Sequence, residues 1–174
     1  MTAIETGVDP FTMVARCLFD LFREFEPLQE YIKPGNFVHF AGQHTDPMLD
    51  MVADADAPEL VVEPGPMQVE MWKSSTMTLV ERQYHVGVLT QDLRIQKGIA
   101  PIEWLMIRAL ATAKSSNLGL SFVNRVMVSS YETVRDPDID RGGREAWSGV
   151  LTVSVRMTFS QADDLLVNTP SWET

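Results

Sequence analysis

Trp147-Ser-Gly-Val-Leu-Thr-Val-Ser-Val-Arg-Met-Thr-Phe159 carries the clearest pattern in this chain. Trp147, Leu151, Val153, Val155, Met157 and Phe159 fall on one parity. Ser148, Thr152, Ser154, Arg156, Thr158 and Ser160 fall on the other. Successive side chains of a strand point to opposite faces, so this alternation predicts a long strand with one covered face, of the kind found in antiparallel sheets.

Upstream, Leu118, Leu120, Phe122, Val126 and Val128 alternate and predict a second strand. The charged stretch between the two, Arg135-Asp-Pro-Asp-Ile-Asp-Arg-Gly-Gly-Arg-Glu145, is too long for a tight hairpin and should project from the sheet. From Thr76 to Leu89 the pattern is again β. Met77 and Leu79 have one parity, and Tyr84, Val86 and Val88 have the other, which predicts a bulge near Glu81–Gln83.

Two helices are expected. Asp9 is a good N-cap with Pro10 at the first helical position, and Phe11, Val14, Ala15, Leu18, Phe22 and Phe25 form one apolar stripe. Pro27 should end or kink this helix, and Lys33-Pro34-Gly35 should stop any continuation. The second helix carries Ile102, Leu105, Met106, Ala109, Leu110 and Ala113, with Pro101 near its start and Ser115-Ser116-Asn117 after its end.

Residues 34–75 read as an irregular acidic arm. Gly, Pro, Asp and Ala are frequent, and Asp46, Asp50, Asp54, Asp56 and Glu59 fall close together. Leu60-Val61-Val62 predicts a brief strand that Glu63-Pro64-Gly65-Pro66 closes. The expected fold class is α+β: two main helices packed on one face of a mostly antiparallel sheet, with an irregular acidic segment. Residues 1–174 form a single domain, divided into a first helix at 9–32, the arm at 34–75, a strand-helix-strand-strand core at 76–160 and a C-terminal tail at 161–174.

Composition bounds the function. Apolar residues make up 45% of the 174 and charged residues 22%, which suits a packed core. No apolar run approaches the length that a membrane-spanning helix requires, and the opening MTAIETGVDP lacks a secretory signal pattern. Cys17 is the only cysteine, so no internal disulfide forms. The formal charge of −10 is lopsided: residues 1–70 hold 13 acidic and 3 basic side chains, and residues 71–174 hold 11 of each. An acidic half of this kind repels phosphate and disfavours tight nucleic-acid binding.

The sequence contains no phosphate loop, dinucleotide glycine pattern, HExxH or nucleophile elbow. Asp136-x-Asp138-x-Asp140 begins like a calcium loop, but Arg141 and Trp147 stand where its glycine and bidentate glutamate belong. His39, His44 and Asp46 lack a completing ligand, and His85 has no partner visible in sequence. Cys17 beside Leu18 reads as a small packing residue. The carboxylates of 46–70 are too many to single out an acid and base pair. No catalytic residue, cofactor or metal is expected. Ten Met and four Trp offer anchors for protein contacts; Trp147 belongs to the core face, Trp104 lies beside the stripe of the second helix, and Trp72 and Trp172 lie outside periodic segments.

The order of these elements resembles a known family. A first helix leads to a stretch ending in Pro58-Glu-Leu-Val-Val62. A strand bearing Tyr84-His-Val-Gly-Val88 follows, then the helix Ile102–Lys114, the strand Val126–Val128, the charged turn Tyr131 to Glu145 and the amphipathic strand Trp147–Phe159. Over residues 9–160 this layout resembles the tail-terminator and tail-completion proteins of long-tailed bacteriophages. The resemblance implies a virion protein assembled in the host cytoplasm, forming a homo-oligomeric ring, usually a hexamer. That ring caps the tail tube and joins it to the head and neck proteins. It implies no catalytic residues and no membrane. DNA would pass through without specific binding, past an acidic lumen to which part of 46–63 contributes, or from which it reaches a neighbouring subunit. The residues expected at subunit contacts or lumen are Asp50, Asp54, Asp56, Trp72, Arg135, Asp138, Arg141, Arg144 and Trp172. The competing expectation is a non-viral α+β module that binds protein or small molecules as a monomer or dimer.

Overall fold

A computed structural model describes residues 9–39, 58–71, 77–90, 99–112, 116–136 and 146–160. Helix α1 spans Pro10–Arg23 and the short α2 spans Glu26–Gln29. A single 3₁₀ turn, Pro34–Asn36, precedes strand β1, Phe37–His39. Strands β2 (Glu59–Met71) and β3 (Met77–Thr90) are followed by helix α3 (Ile99–Leu110), then by β4 (Val123–Asp136) and β5 (Ala146–Ser160). The class is α+β. The strands form one sheet in the order β1-β2-β3-β5-β4, antiparallel throughout except for β1, which runs parallel to β2.

The expected start of α1 is present atom by atom. Asp9 Oδ1 accepts hydrogen bonds from the backbone N–H groups of Phe11 at 3.0 Å and Thr12 at 2.9 Å, and Oδ2 accepts from the Thr12 hydroxyl at 2.6 Å. These satisfy donors that a helix start leaves without intrahelical partners. Partial burial works against the charged form, but the three hydrogen bonds outweigh it and hold the Asp9 carboxyl below its ordinary value. At the other end the chain turns at Glu24 and Phe25, and Pro27 lies in the first turn of α2.

Strand β5 pairs with β3 in unbroken register from Met77↔Ser160 to Thr90↔Trp147. Its odd-numbered side chains from Leu151 to Phe159 are buried with Val80, Tyr84, Val86 and Val88 of β3, and this parity defines the core face of the sheet. Helix α1 supplies Val14, Leu18, Phe19 and Phe22 to the same core, and α3 supplies Ile102, Leu105, Met106 and Ala109. Phe11 meets Phe159 edge to face at 6.4 Å between centroids, and Phe159 stacks on Phe122 at 5.5 Å. The Tyr84 hydroxyl donates to the Phe11 carbonyl at 3.1 Å, which ties α1 to the middle of β3.

Four expectations need correction. First, residues 59–71 are one strand of 13 residues, not irregular backbone closed at Pro64. The register of β2 against β3 passes from Pro64↔Tyr84 to Met67↔Arg82, so β2 holds one extra residue opposite Gln83. Proline is tolerated at a bulge on an edge strand, where its missing N–H costs no ladder bond. Gly65 sits inside this bulge because a Cβ there would come within 2.6 Å of His85 Nε2 and 3.1 Å of the Gln83 carbonyl. Leu60, Val61 and Val62 are buried in the sheet; the arm between 40 and 57 lies outside the described residues.

Second, β3 itself is regular: the irregularity expected near Glu81–Gln83 belongs to its neighbour, and Met77 and Leu79 simply face away from the core. Third, Leu118–Phe122 is not strand. Leu118 and Gly119 have positive φ (56° and 72°), and Asn117 Oδ1 accepts from the Gly119 N–H at 3.0 Å, so the apolar side chains of this segment reach the core from a turn. Fourth, the second face of the sheet is also withdrawn from water at its centre, where Val61, Gly87, Thr152 and Ser154 are buried. The two buried hydroxyls are satisfied: Thr152 Oγ1 pairs with His85 Nδ1 at 3.4 Å, and Ser154 with Ser129.

Candidate assembly surface

The sheet is open. Among the described residues, β1 pairs only with Leu60–Val62 of β2, and the outer edge of β2 from Pro64 to Met71 pairs with no described strand. At the opposite side, the outer edge of β4 also pairs with no described strand. Both edges carry exposed apolar side chains: Met67 and Val69 on β2, 47% and 49% exposed, and Val128 on β4, 42% exposed. Their pairing partners, Arg82, Val80 and Val153, place all three on the core face of the sheet, outside the area that the core covers. Met77, Trp104 and Ile107 are further exposed apolar residues.

The same geometry sets the charges. Arg125 pairs directly with Arg156 on the second face, and Arg156 in turn bridges to Glu81 at 3.1 Å. Glu81, Arg156 and Arg125 thus occupy neighbouring ladder positions across β3, β5 and β4, two arginines beside one glutamate. Glu70 is exposed at the far end of β2, on the same face. Bulges at Asn124 and Ser129 isolate Arg125–Val128 as a short regular run on the β4 edge.

The remaining polar clusters serve packing. The Tyr131 hydroxyl donates to Glu103 of α3, and the Thr133 hydroxyl donates to the same oxygen at 2.9 Å, pinning α3 to β4. Burial pushes the Tyr131 phenol well above its ordinary value, and its bond to Glu103 adds to this, so it is a poor acid or base near neutrality. Tyr84 is shifted the same way, chiefly by burial. The Arg82 guanidinium lies over the Phe11 ring at 4.9 Å and the Tyr84 ring at 5.9 Å, closing the core at that end. Cys17, Asp20 and Leu21 of α1 and Glu24 just after it face Asn117, Leu118 and Gly119 across a groove of about 370 Å³. Burial raises the Cys17 thiol, and nearby Asp20 raises it further, which leaves little thiolate for nucleophilic chemistry.

Among the described residues, no group of three or more His, Cys, Asp and Glu could hold a metal ion, and no helix is long and apolar enough to cross a membrane. Of the residues expected at subunit contacts, Asp50, Asp54, Asp56, Trp72, Asp138, Arg141, Arg144 and Trp172 lie outside the described residues. Arg135 is placed by its backbone alone: it continues β4 and pairs with Trp147, so the charged connection begins two residues later than the sequence suggests. Sequence reading missed Met67, Val69, Glu70 and Arg125. The alternation Met67-x-Val69-x-Met71 was the available signal, and Pro64-Gly65-Pro66 masked it. The chain matches no protein-family model and no curated protein.

Proposed function

We propose that this chain is a structural assembly protein of the tail-terminator or tail-completion kind, and not an enzyme. Copies form a ring, a hexamer on the family pattern, that caps the phage tail tube and joins it to the head and neck proteins. The two main helices cover one face of the sheet, and the acidic arm lines the lumen or reaches a neighbouring copy. The protein resides in the virion after assembly in the host cytoplasm, and DNA passes through it without specific contacts. The observation that carries this reading is the open sheet with exposed apolar side chains at both edges. Natural sheets usually blunt or cover such edges, and an uncovered apolar edge favours pairing with another chain. Native mass spectrometry across a concentration series tests it: a species near six copies is expected, and a monomer at every concentration refutes it.

The groove beside Cys17 favours a second reading, a small-molecule-binding module working as monomer or dimer. Its volume of about 370 Å³ falls at the small end of ligand pockets. A monomer whose melting temperature rises with a bound small molecule would select this reading over the first.

A further inference from the structure

We infer that the β2 edge of one copy pairs with the β4 edge of the next, with Met67–Glu70 lying antiparallel to Arg125–Val128. This deepens the assembly reading above and rests on it. Strand directions alternate across β2, β3, β5 and β4, so β2 of a second copy placed beside β4 runs antiparallel to it and continues the ladder. The level is close. Met67 pairs with Arg82, Arg82 with Val155, and Val155 with Val126, so a slide of two residues, which keeps every side chain on its face, sets Met67 of the incoming strand opposite Val128.

One register then satisfies both faces together: Met67 opposite Val128, Val69 opposite Val126, Gln68 opposite Met127 and Glu70 opposite Arg125. Paired residues in an antiparallel ladder share a face. Met67, Val69, Val126 and Val128 all belong to the core face, and Glu70 and Arg125 to the second face. The pairing covers three of the large exposed apolar side chains at once. It also brings a carboxylate to Arg125, whose direct neighbour in the sheet is another arginine and which has no acidic partner among the described residues. A residue shift in either direction would set an apolar side chain against a charged one.

Charge selects this junction over the symmetric ones. Two β2 edges joined about a two-fold axis would bring the two Glu70 carboxylates close together on one face. Two β4 edges would do the same with the Arg125–Arg156 pairs. Like charges placed together in an interface are strongly disfavoured. A β2-to-β4 junction is head-to-tail, and such contacts produce rings when the rotation closes.

The test uses the full chain and four variants: Glu70→Arg, Arg125→Glu, the two combined, and Val69→Lys. Positions 69, 70 and 125 are exposed, so each variant should fold, as circular dichroism melting will check. Sedimentation velocity should show that either single reversal raises the concentration needed for assembly by roughly tenfold or more, because like charges then meet at every junction. The combined variant restores an opposite-charge pair and should assemble close to the wild-type concentration, whereas Val69→Lys should stay monomeric. An oligomer indifferent to the single reversals, or a combined variant no better than its worse parent, overturns the edge pairing and leaves the assembly reading standing. A wild-type chain that remains monomeric throughout overturns both.

Discussion

Replacing Gly149 by alanine should damage the fold through one identifiable contact. Gly149 lies on the core face of β5, between Val88 of β3 and Thr133 of β4. The Tyr131 side chain crosses over it to reach Glu103. A Cβ at position 149 would overlap the Tyr131 hydroxyl oxygen and lie 3.0 Å from its Cζ and 3.1 Å from Ile99 Cδ1. Tyr131 must then move, and its bond to the carboxylate is lost. Overpacking of this kind costs about 1 to 3 kcal/mol. A hydrogen bond to a charged group contributes about 1.5 to 3 kcal/mol. The stiffer unfolded chain returns about 0.4 to 1 kcal/mol. The net loss is about 1.5 to 5.5 kcal/mol, which for a chain of this size lowers the melting temperature by roughly 3 to 20 °C. Differential scanning calorimetry and denaturant titration measure it directly. The control is Tyr131→Phe, which removes the hydroxyl and most of the overlap. In that background Gly149→Ala should cost at least about 1 kcal/mol less, a coupling expected of residues in contact. A Gly149→Ala protein as stable as the wild type, or a cost unchanged by Tyr131→Phe, would refute the reasoning.

Asp9→Ala should remove about 1 kcal/mol near neutral pH by leaving the first N–H groups of α1 unpaired. Because the folded Asp9 carboxyl titrates below its ordinary value, its contribution is complete above the unfolded pKa and disappears as pH falls through the folded one. Urea melts of both proteins should therefore differ near pH 7, and the gap should narrow as the medium is made acid; a gap that widens in acid would contradict the sign. Arg156→Ala should cost less than about 1 kcal/mol, since its bridge to Glu81 is substantially exposed. Chemical denaturation that reveals a loss several times larger would mean that the bridge anchors the sheet. Cys17 should react with iodoacetamide more slowly than free cysteine near neutrality and accelerate only at alkaline pH, because burial raises its thiol. Alkylation as fast as that of glutathione at pH 7 would show the opposite environment.

The α+β class, the capped start of α1, the stripe of α3 and the alternation of β5 were legible from sequence. Each depends on periodicity or on a hydrogen bond between residues close in the chain, and such signals survive without tertiary context. Asp9 needs only Phe11 and Thr12 to act as a cap. The acidic imbalance of the first 70 residues was equally legible, because charge is a property of composition. The course of residues 63–71 was not. Pro64-Gly65-Pro66 is a strand breaker by local chemistry, and it becomes a bulge only because β3 holds the ladder on one side while the other side is an edge. The parity change between Leu79 and Tyr84 misled for the same reason: which face is covered depends on what packs there, and burial at Val80 assigns the core to even positions throughout β3. Leu118–Phe122 has the spacing of a strand, yet two positive φ angles make it a turn, and no apolar pattern reports φ. The exposed Met67, Val69 and Val128, and Arg125 with no acidic partner among the described residues, have meaning only at the two ends of one sheet. Sequence determined the segments whose periodicity or capping is local, α1, α3 and β5; tertiary structure alone decided which strands are edges, because an edge is defined by the absence of a neighbour, and the chain does not encode neighbours locally.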